Sequence, residues 1–153
     1  MNDRYLVRGK TRLIVGTYNS GKKDGEWVKG YLYCDTGRWM IKQFEFDRAD
    51  YIDYEVDPST ICQRTGLKDK NGNPIFENDI VIFQFDNDDC PFLNKDTKKR
   101  VGKVFFSDFR ASWSIAMGRN GSKEINNDLF RYVQNGNRVE VIGSAIDNPE
   151  LLE

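Results

Sequence analysis

Apolar residues in this chain come in short stretches between turn-forming residues, and few recur at helical spacing, which predicts a mainly β protein. Strands are expected at residues 5–8 and 13–18, then at 27–34 and 39–46 around Asp35-Thr36-Gly37, a turn in which glycine can take a positive φ. Alternation along 27–34 puts Trp27, Tyr31 and Tyr33 on one face and Val28, Gly30 and Leu32 on the other. Such an aromatic row reads as core or cross-strand packing before it reads as a ligand platform. Residues 51–57 are acidic and end at Pro58, which suggests a hinge, and 61–64 suggests a further strand.

The tract 65–74 is the richest in turn residues. Asn71-Gly72 predicts a type I′ hairpin turn, with Asp69 accepting backbone N–H groups two residues on and Leu67, Ile75 and Phe76 anchoring the arms. Residues 79–85 form the clearest strand, with Val81, Phe83 and Phe85 on one face, Ile80 and Ile82 on the other, and both faces covered near its start. An exposed acidic loop at 86–96 precedes a hairpin of 101–107 and 112–117, in which Trp113, Ile115 and Met117 share a face. Ile125, Leu129 and Val133 predict a short helix capped by Ser122, although Asn126, Asn127 and Asp128 weaken it. A last strand at 139–142 ends at Gly143. Asn148-Pro149-Glu150 then reads as a helical N-cap, a first-turn proline and a first-turn acid, with Leu151 and Leu152 docking the turn.

Composition changes the picture in three ways. With 153 residues the chain can build a proper core, and its 3 Trp, 7 Tyr and 10 Phe mean that large rings supply much of the burial. No run approaches the roughly 20 apolar residues of a membrane span, and no secretory signal pattern is read, so a cytoplasmic protein without a membrane partner is expected. Basic and acidic residues number 23 and 24, so net charge gives no global attraction to nucleic acid. Locally, Arg4, Arg8, Lys10 and Arg12 make one basic cluster and Lys95, Lys98, Lys99, Arg100 and Lys103 a second. Both read first as solvated strand edges, and second as contacts for nucleic acid.

The sequence contains no histidine, which removes the commonest general base and metal ligand. Cys34, Cys62 and Cys90 are too widely spaced for a thiolate zinc motif and read as reduced thiols. The stretch 16–23 nearly matches a phosphate-binding loop, but Lys23 stands where a hydroxyl is needed. Asp86, Asp88 and Asp89 miss the calcium-loop spacing. Neither catalytic residues nor a metal or cofactor site is assigned, and no enzymatic activity is expected.

Gln63-Arg64-Thr65-Gly66-Leu67-Lys68-Asp69-Lys70-Asn71-Gly72, then Ile75-Phe76-Glu77-Asn78-Asp79-Ile80-Val81, then Glu140-Val141-Ile142-Gly143 with Asp147-Asn148-Pro149-Glu150-Leu151-Leu152 resemble the YopX family of phage and prophage proteins. So do Arg8-Gly9-Lys10, residues 25–31 and residues 54–58. The matches run in the family's order over nearly the whole chain; Asn78 stands where the family usually has Gly. The resemblance implies a cytoplasmic protein of a phage or integrated element, β-rich, with a C-terminal part similar to an SH3-type barrel. It brings no catalytic residues or cofactor. Its repeated motif positions, Gly66, Asp69, Asn71, Gly72, Asp79, Gly143, Asn148 and Pro149, read as turn and anchor residues that build the fold.

The expectation is therefore a mainly β protein with short helical turns only. An N-terminal β layer (1–57) packs on a small SH3-type-like barrel (58–153). The function expected is a non-enzymatic binding or assembly module that associates with itself and with an unknown protein partner. The alternatives are a nucleic-acid-binding small barrel and an enzyme acting through carboxylates or a thiol.

Overall fold

The computed structural model of the protein describes residues 5–13, 22–84, 99–117, 126–134 and 136–153. The protein is mainly β, built on antiparallel sheets. It divides into two compact units, Met1–Arg64 and Thr65–Glu153, so the join falls at 64/65 where the sequence reading places it at 57/58.

In the first unit, β1 (Val7–Lys10), β2 (Trp27–Asp35), β3 (Arg38–Glu45), β4 (Asp50–Glu55) and the start of β5 (Cys62–Lys68) lie in the order β4-β3-β2-β1-β5. The β2–β3 hairpin turns through Thr36 and Gly37, both at positive φ (47° and 82°), the two-residue geometry that matches strand twist. Val7, Val28, Ile41, Tyr54 and Val56 form the core, with Leu32, Ile52 and Ile61 packed against it. Removing one such side chain from water contributes about 1.5–3 kcal/mol, which fixes which face of each strand turns inward. That face carries Val28, Gly30 and Leu32, so Trp27, Tyr31 and Tyr33 stand on the outward face and not in the core. Residues 50–55, which overlap the expected hinge segment 51–57, form β4, paired with β3 from Glu45↔Asp50 to Met40↔Glu55. Its acids obscured an alternation that buries Tyr54 and half-buries Ile52. The expected strand at 13–18 lies almost wholly outside the described residues.

In the second unit, β6 (Pro74–Phe76) pairs with the end of β5. A second sheet has β7 (Asp79–Gln84), β8 (Lys99–Ser107), β9 (Ser112–Ala116), β10 (Asn126–Asp128) and β11 (Val139–Ser144) in the order β10-β9-β8-β7-β11. A short helix, α1 (Leu129–Gln134), lies between β10 and β11. The core is Ile75, Val81, Phe83, Val104, Ile115, Leu129, Tyr132 and Val139, and the rings of Phe83 and Tyr132 meet edge to face at 4.9 Å. Among the described residues the sheet is open, with β10 and β11 at opposite edges, so the expected barrel is not closed by a strand ladder. β10 is three residues long and gives way directly to α1. Asn126 to Asp128, expected in the helix, pair with β9 instead, and Asp128 Oδ1 accepts the N–H of Phe130 at the helix start. The proposed cap Ser122 and the loop 86–96 lie outside the described residues.

Asp69 organises the family-like loop. Its Oδ1 accepts the N–H groups of Asn71 and Asn73, both at 2.9 Å, and its Oδ2 accepts the N–H of Val141 on β11 at 3.1 Å. Gly72 has positive φ (82°) and Asn71 does not, so the turn is not type I′. Gly72 N donates to Asp69 O and Asp69 N to Asn73 O, the pattern of a type I turn followed by a left-handed glycine. Gly66 (82°) and Asn78 (64°) are also left-handed, a region that glycine adopts freely and asparagine tolerates better than most residues. Asp79 is buried and its Oδ2 accepts the N–H of Phe76. Gly143 sits where an added Cβ would fall 2.7 Å from Asn148 Oδ1, and Asn148 makes no side-chain cap for the 3-10 turn Pro149–Leu152. Its Oδ1 lies instead 3.4 Å from Ser144 N.

Replacing Asp69 strands partly buried backbone donors on two segments. Asp69→Ala is expected to cost roughly 2–3 kcal/mol, read as a drop in the urea midpoint; an unchanged midpoint contradicts the role given to this carboxylate.

Candidate functional site

The ladder between β2 and β3 begins at Tyr31↔Lys42 and runs to the hairpin turn. On the other side of Lys42, β3 leaves β2 and continues paired with β4 alone, through Gln43↔Ile52, Phe44↔Tyr51 and Glu45↔Asp50. Gly30 stands at the divergence, where the carbonyl of Lys42 occupies the space a Cβ would need. Beyond it the side chain of Gln43 substitutes for the ladder, Oε1 accepting the N–H of Lys29 at 2.7 Å. The splayed strands leave a groove of about 690 Å³, with Leu6, Lys29 and Tyr31 on one side and Phe44, Phe46 and Tyr51 on the other.

Gln43 is held in turn. Its Nε2 donates to Glu45 Oε1 at 2.8 Å, and Tyr54 Oη donates to the same oxygen at 2.9 Å. These two hydrogen bonds, Gln43 first, hold the Glu45 carboxyl below its ordinary range, so it is a carboxylate near neutrality. The rings opposite are exposed: Phe44 packs edge-on against both Phe46 and Tyr51 at 5.1 Å, and Phe46 is 87% exposed.

The same outward face continues across β2 and β1 through the pairs Arg8↔Lys29 and Lys10↔Trp27. The guanidinium of Arg8 lies 4.6 Å from the Trp27 ring centre, and the Lys10 ammonium 5.3 Å from it. The Lys42 ammonium is 5.9 Å from the Tyr33 ring and 3.1 Å from Asp53 of β4. Burial first, and then a hydrogen bond with Asp53, raises the Tyr33 phenol above its usual pKa. Cations thus alternate with rings on β1 to β3.

Of the first basic cluster, Arg8 and Lys10 share this face, whereas Arg12 turns to Asp57 at 3.7 Å. Ser59, donating from both its side chain and its backbone, holds the Asp57 carboxyl below its ordinary range. Arg4, Lys95 and Lys98 lie outside the described residues. Lys99, Arg100 and Lys103 all lie on β8, but alternation sends Lys99 and Lys103 to one face and Arg100 to the other. Cys34 is exposed and Cys62 buried, and Cys90 lies outside the described residues. Among the described residues, no group of three or more Cys, Asp or Glu could hold a metal ion, and no helix is long and apolar enough to cross a membrane.

The sequence reading missed Lys29, Lys42, Phe44, Tyr51 and Gln43 as parts of one surface. The alternation at 27–33 was a usable signal for half of it; Lys29 falls on the parity of the three rings.

Because Glu45 binds its proton less readily folded than unfolded, stability from it is full above the ordinary glutamate pKa. That stability is lost as pH falls through the lower folded value. Between pH ~5 and ~3 the urea midpoint of the protein is expected to fall further than that of Glu45→Gln. Parallel pH profiles would remove Glu45 as the groove's brace.

Compared with known proteins, the chain shows no significant match to a curated protein. The family model described as YopX protein matches residues 21–153, most of the chain, including the groove-forming strands and the Asp69 loop. The protein therefore belongs to the YopX family.

Proposed function

We propose that this YopX-family protein is a phage- or prophage-encoded, non-enzymatic binding and assembly module that works in the bacterial cytoplasm and associates with itself. The observation that carries this reading is the exposed ring cluster Phe44, Phe46 and Tyr51 beside the groove of the first unit. Exposed aromatic surface of this kind marks interaction sites, because rings gain a large apolar contact for little side-chain entropy. Acidic Asp50, Asp53 and Glu55 on the edge strand β4 discourage edge-to-edge pairing, so the association runs through the rings. The carboxylate in the groove, Glu45, is committed to bracing Gln43 and is held ionised, which suits structure better than proton transfer. An SH3-type-like body for the second unit is supported by its chain path, in which a meander of strands is followed by a short helix and a last strand that returns to pair with the first, β11 on β7.

Size exclusion with light scattering tests the reading. The protein is expected to run above its 17.8 kDa chain mass, and Phe46→Asp to shift it toward that mass without loss of fold by circular dichroism. A strict monomer at high concentration overturns self-association.

A further inference from the structure

The basic and aromatic parts of the outward face call for a ligand of their own. On β1 and β2 the sequence of outward positions is cation and ring by turns: Arg8 and Lys10 beside Trp27, then Lys29, then Tyr31. Lys42 of β3 stands opposite Tyr31 and near the Tyr33 ring. Acids at the outward strand positions are Asp53 and Glu55 on β4 and Asp35 at the β2–β3 turn, and the Glu45 carboxylate, tied to Gln43 and Tyr54, lines the groove beside Lys29 and Tyr31. The outward positions of β1 and of β2 up to Tyr33 carry cations and rings and no acid.

We propose that the outward face of β1 to β3 binds single-stranded nucleic acid, with unstacked bases lying on the rings and phosphates meeting Arg8, Lys10, Lys29 and Lys42. Stacking needs a flat ring with cations at its rim, and neighbouring outward positions on a strand lie about 7 Å apart, a spacing that extended nucleotides can follow. A duplex hides its base faces, and a flat sheet face does not enter its major groove, so the rings select the single strand. An arginine lying over a tryptophan also offers its own plane to a base. The ion pair of Lys42 with Asp53 is an obstacle of limited size. Both side chains are about two-fifths exposed, and exposed pairs of this sort contribute only about 0–1 kcal/mol, so a phosphate can replace the carboxylate. This inference stands apart from self-association, which uses the rings beyond Lys42 and is read by mass.

The test is fluorescence anisotropy with a labelled oligothymidylate of about 15 nucleotides, at a series of salt concentrations. Four phosphate contacts predict a slope of log affinity against log salt of roughly −3, made shallower by about 0.7 in Lys29→Ala. Tyr31→Ala is expected to weaken binding roughly tenfold. Asp53→Asn, which removes the competing carboxylate, is expected to tighten it, an effect that general loss of structure cannot produce. Phe109→Ser changes a fully exposed ring in the second unit and is expected to leave binding unchanged. No retention at low salt overturns the proposal. So do equal affinity for a duplex of the same length, equal affinity for polyglutamate, and binding indifferent to the Lys29, Tyr31 and Asp53 substitutions.

Discussion

The first unit depends on the approach of the Lys42 carbonyl to Gly30. Only a residue without a Cβ lets β3 come this close to β2, and the contact marks the point where the two strands part. A one-residue slip of β2 would send Trp27, Tyr31 and Tyr33 inward and Val28 and Leu32 outward, and would bring a side chain against that carbonyl. Packing of Val28, Ile41 and Val56 and the space at Gly30 thus select one register together. The groove follows from the parting, and the surface chemistry follows from the register.

Polar side chains complete what the backbone ladder leaves open. Gln43 closes the gap at Lys29, and Glu45 and Tyr54 fix Gln43. The second unit repeats the device with one carboxylate: Asp69 satisfies donors within its own loop and on β11 and so docks the loop on the strand. At Gly143 the device is steric, since the missing side chain admits Asn148 and Leu151. The residues that identify the family in this chain are largely of these two kinds. They mark where the fold closes on itself, while the family-like stretches 8–10 and 25–31 also carry Arg8, Lys10, Trp27, Lys29 and Tyr31 of the ring-and-cation surface.

Much of the fold was legible because strand alternation and turn chemistry act locally. The strands through Val28, Ile80 and Val104 and the bracing role of Asp69 followed from neighbouring residues alone. Failures came where a distant partner decided. Tyr51 to Glu55 read as a hinge because their acids are conspicuous, yet pairing with β3 makes them a strand. Asn126 to Asp128 read as helix because of spacing, yet β9 holds them extended. The type I′ turn at Asn71-Gly72 failed because Asp69 imposes a different loop. The aromatic row was recognised and read as core or cross-strand packing; it packs across strands on the outward face, and alternation separates two faces without saying which one is buried. Lys42 and Phe44 joined the surface only through cross-strand register, which short-range pattern does not contain.

The central claim is that this register turns a ring-and-cation face outward for recognition. Amide chemical-shift mapping on the isotope-labelled protein, titrated with the single-stranded oligothymidylate, tests it residue by residue. The account predicts progressive shifts concentrated at Arg8, Lys10, Lys29, Tyr31, Tyr33 and Lys42, with the Asp69 loop and β11 unmoved. Shifts confined to the second unit, or none at saturating oligonucleotide, would contradict it.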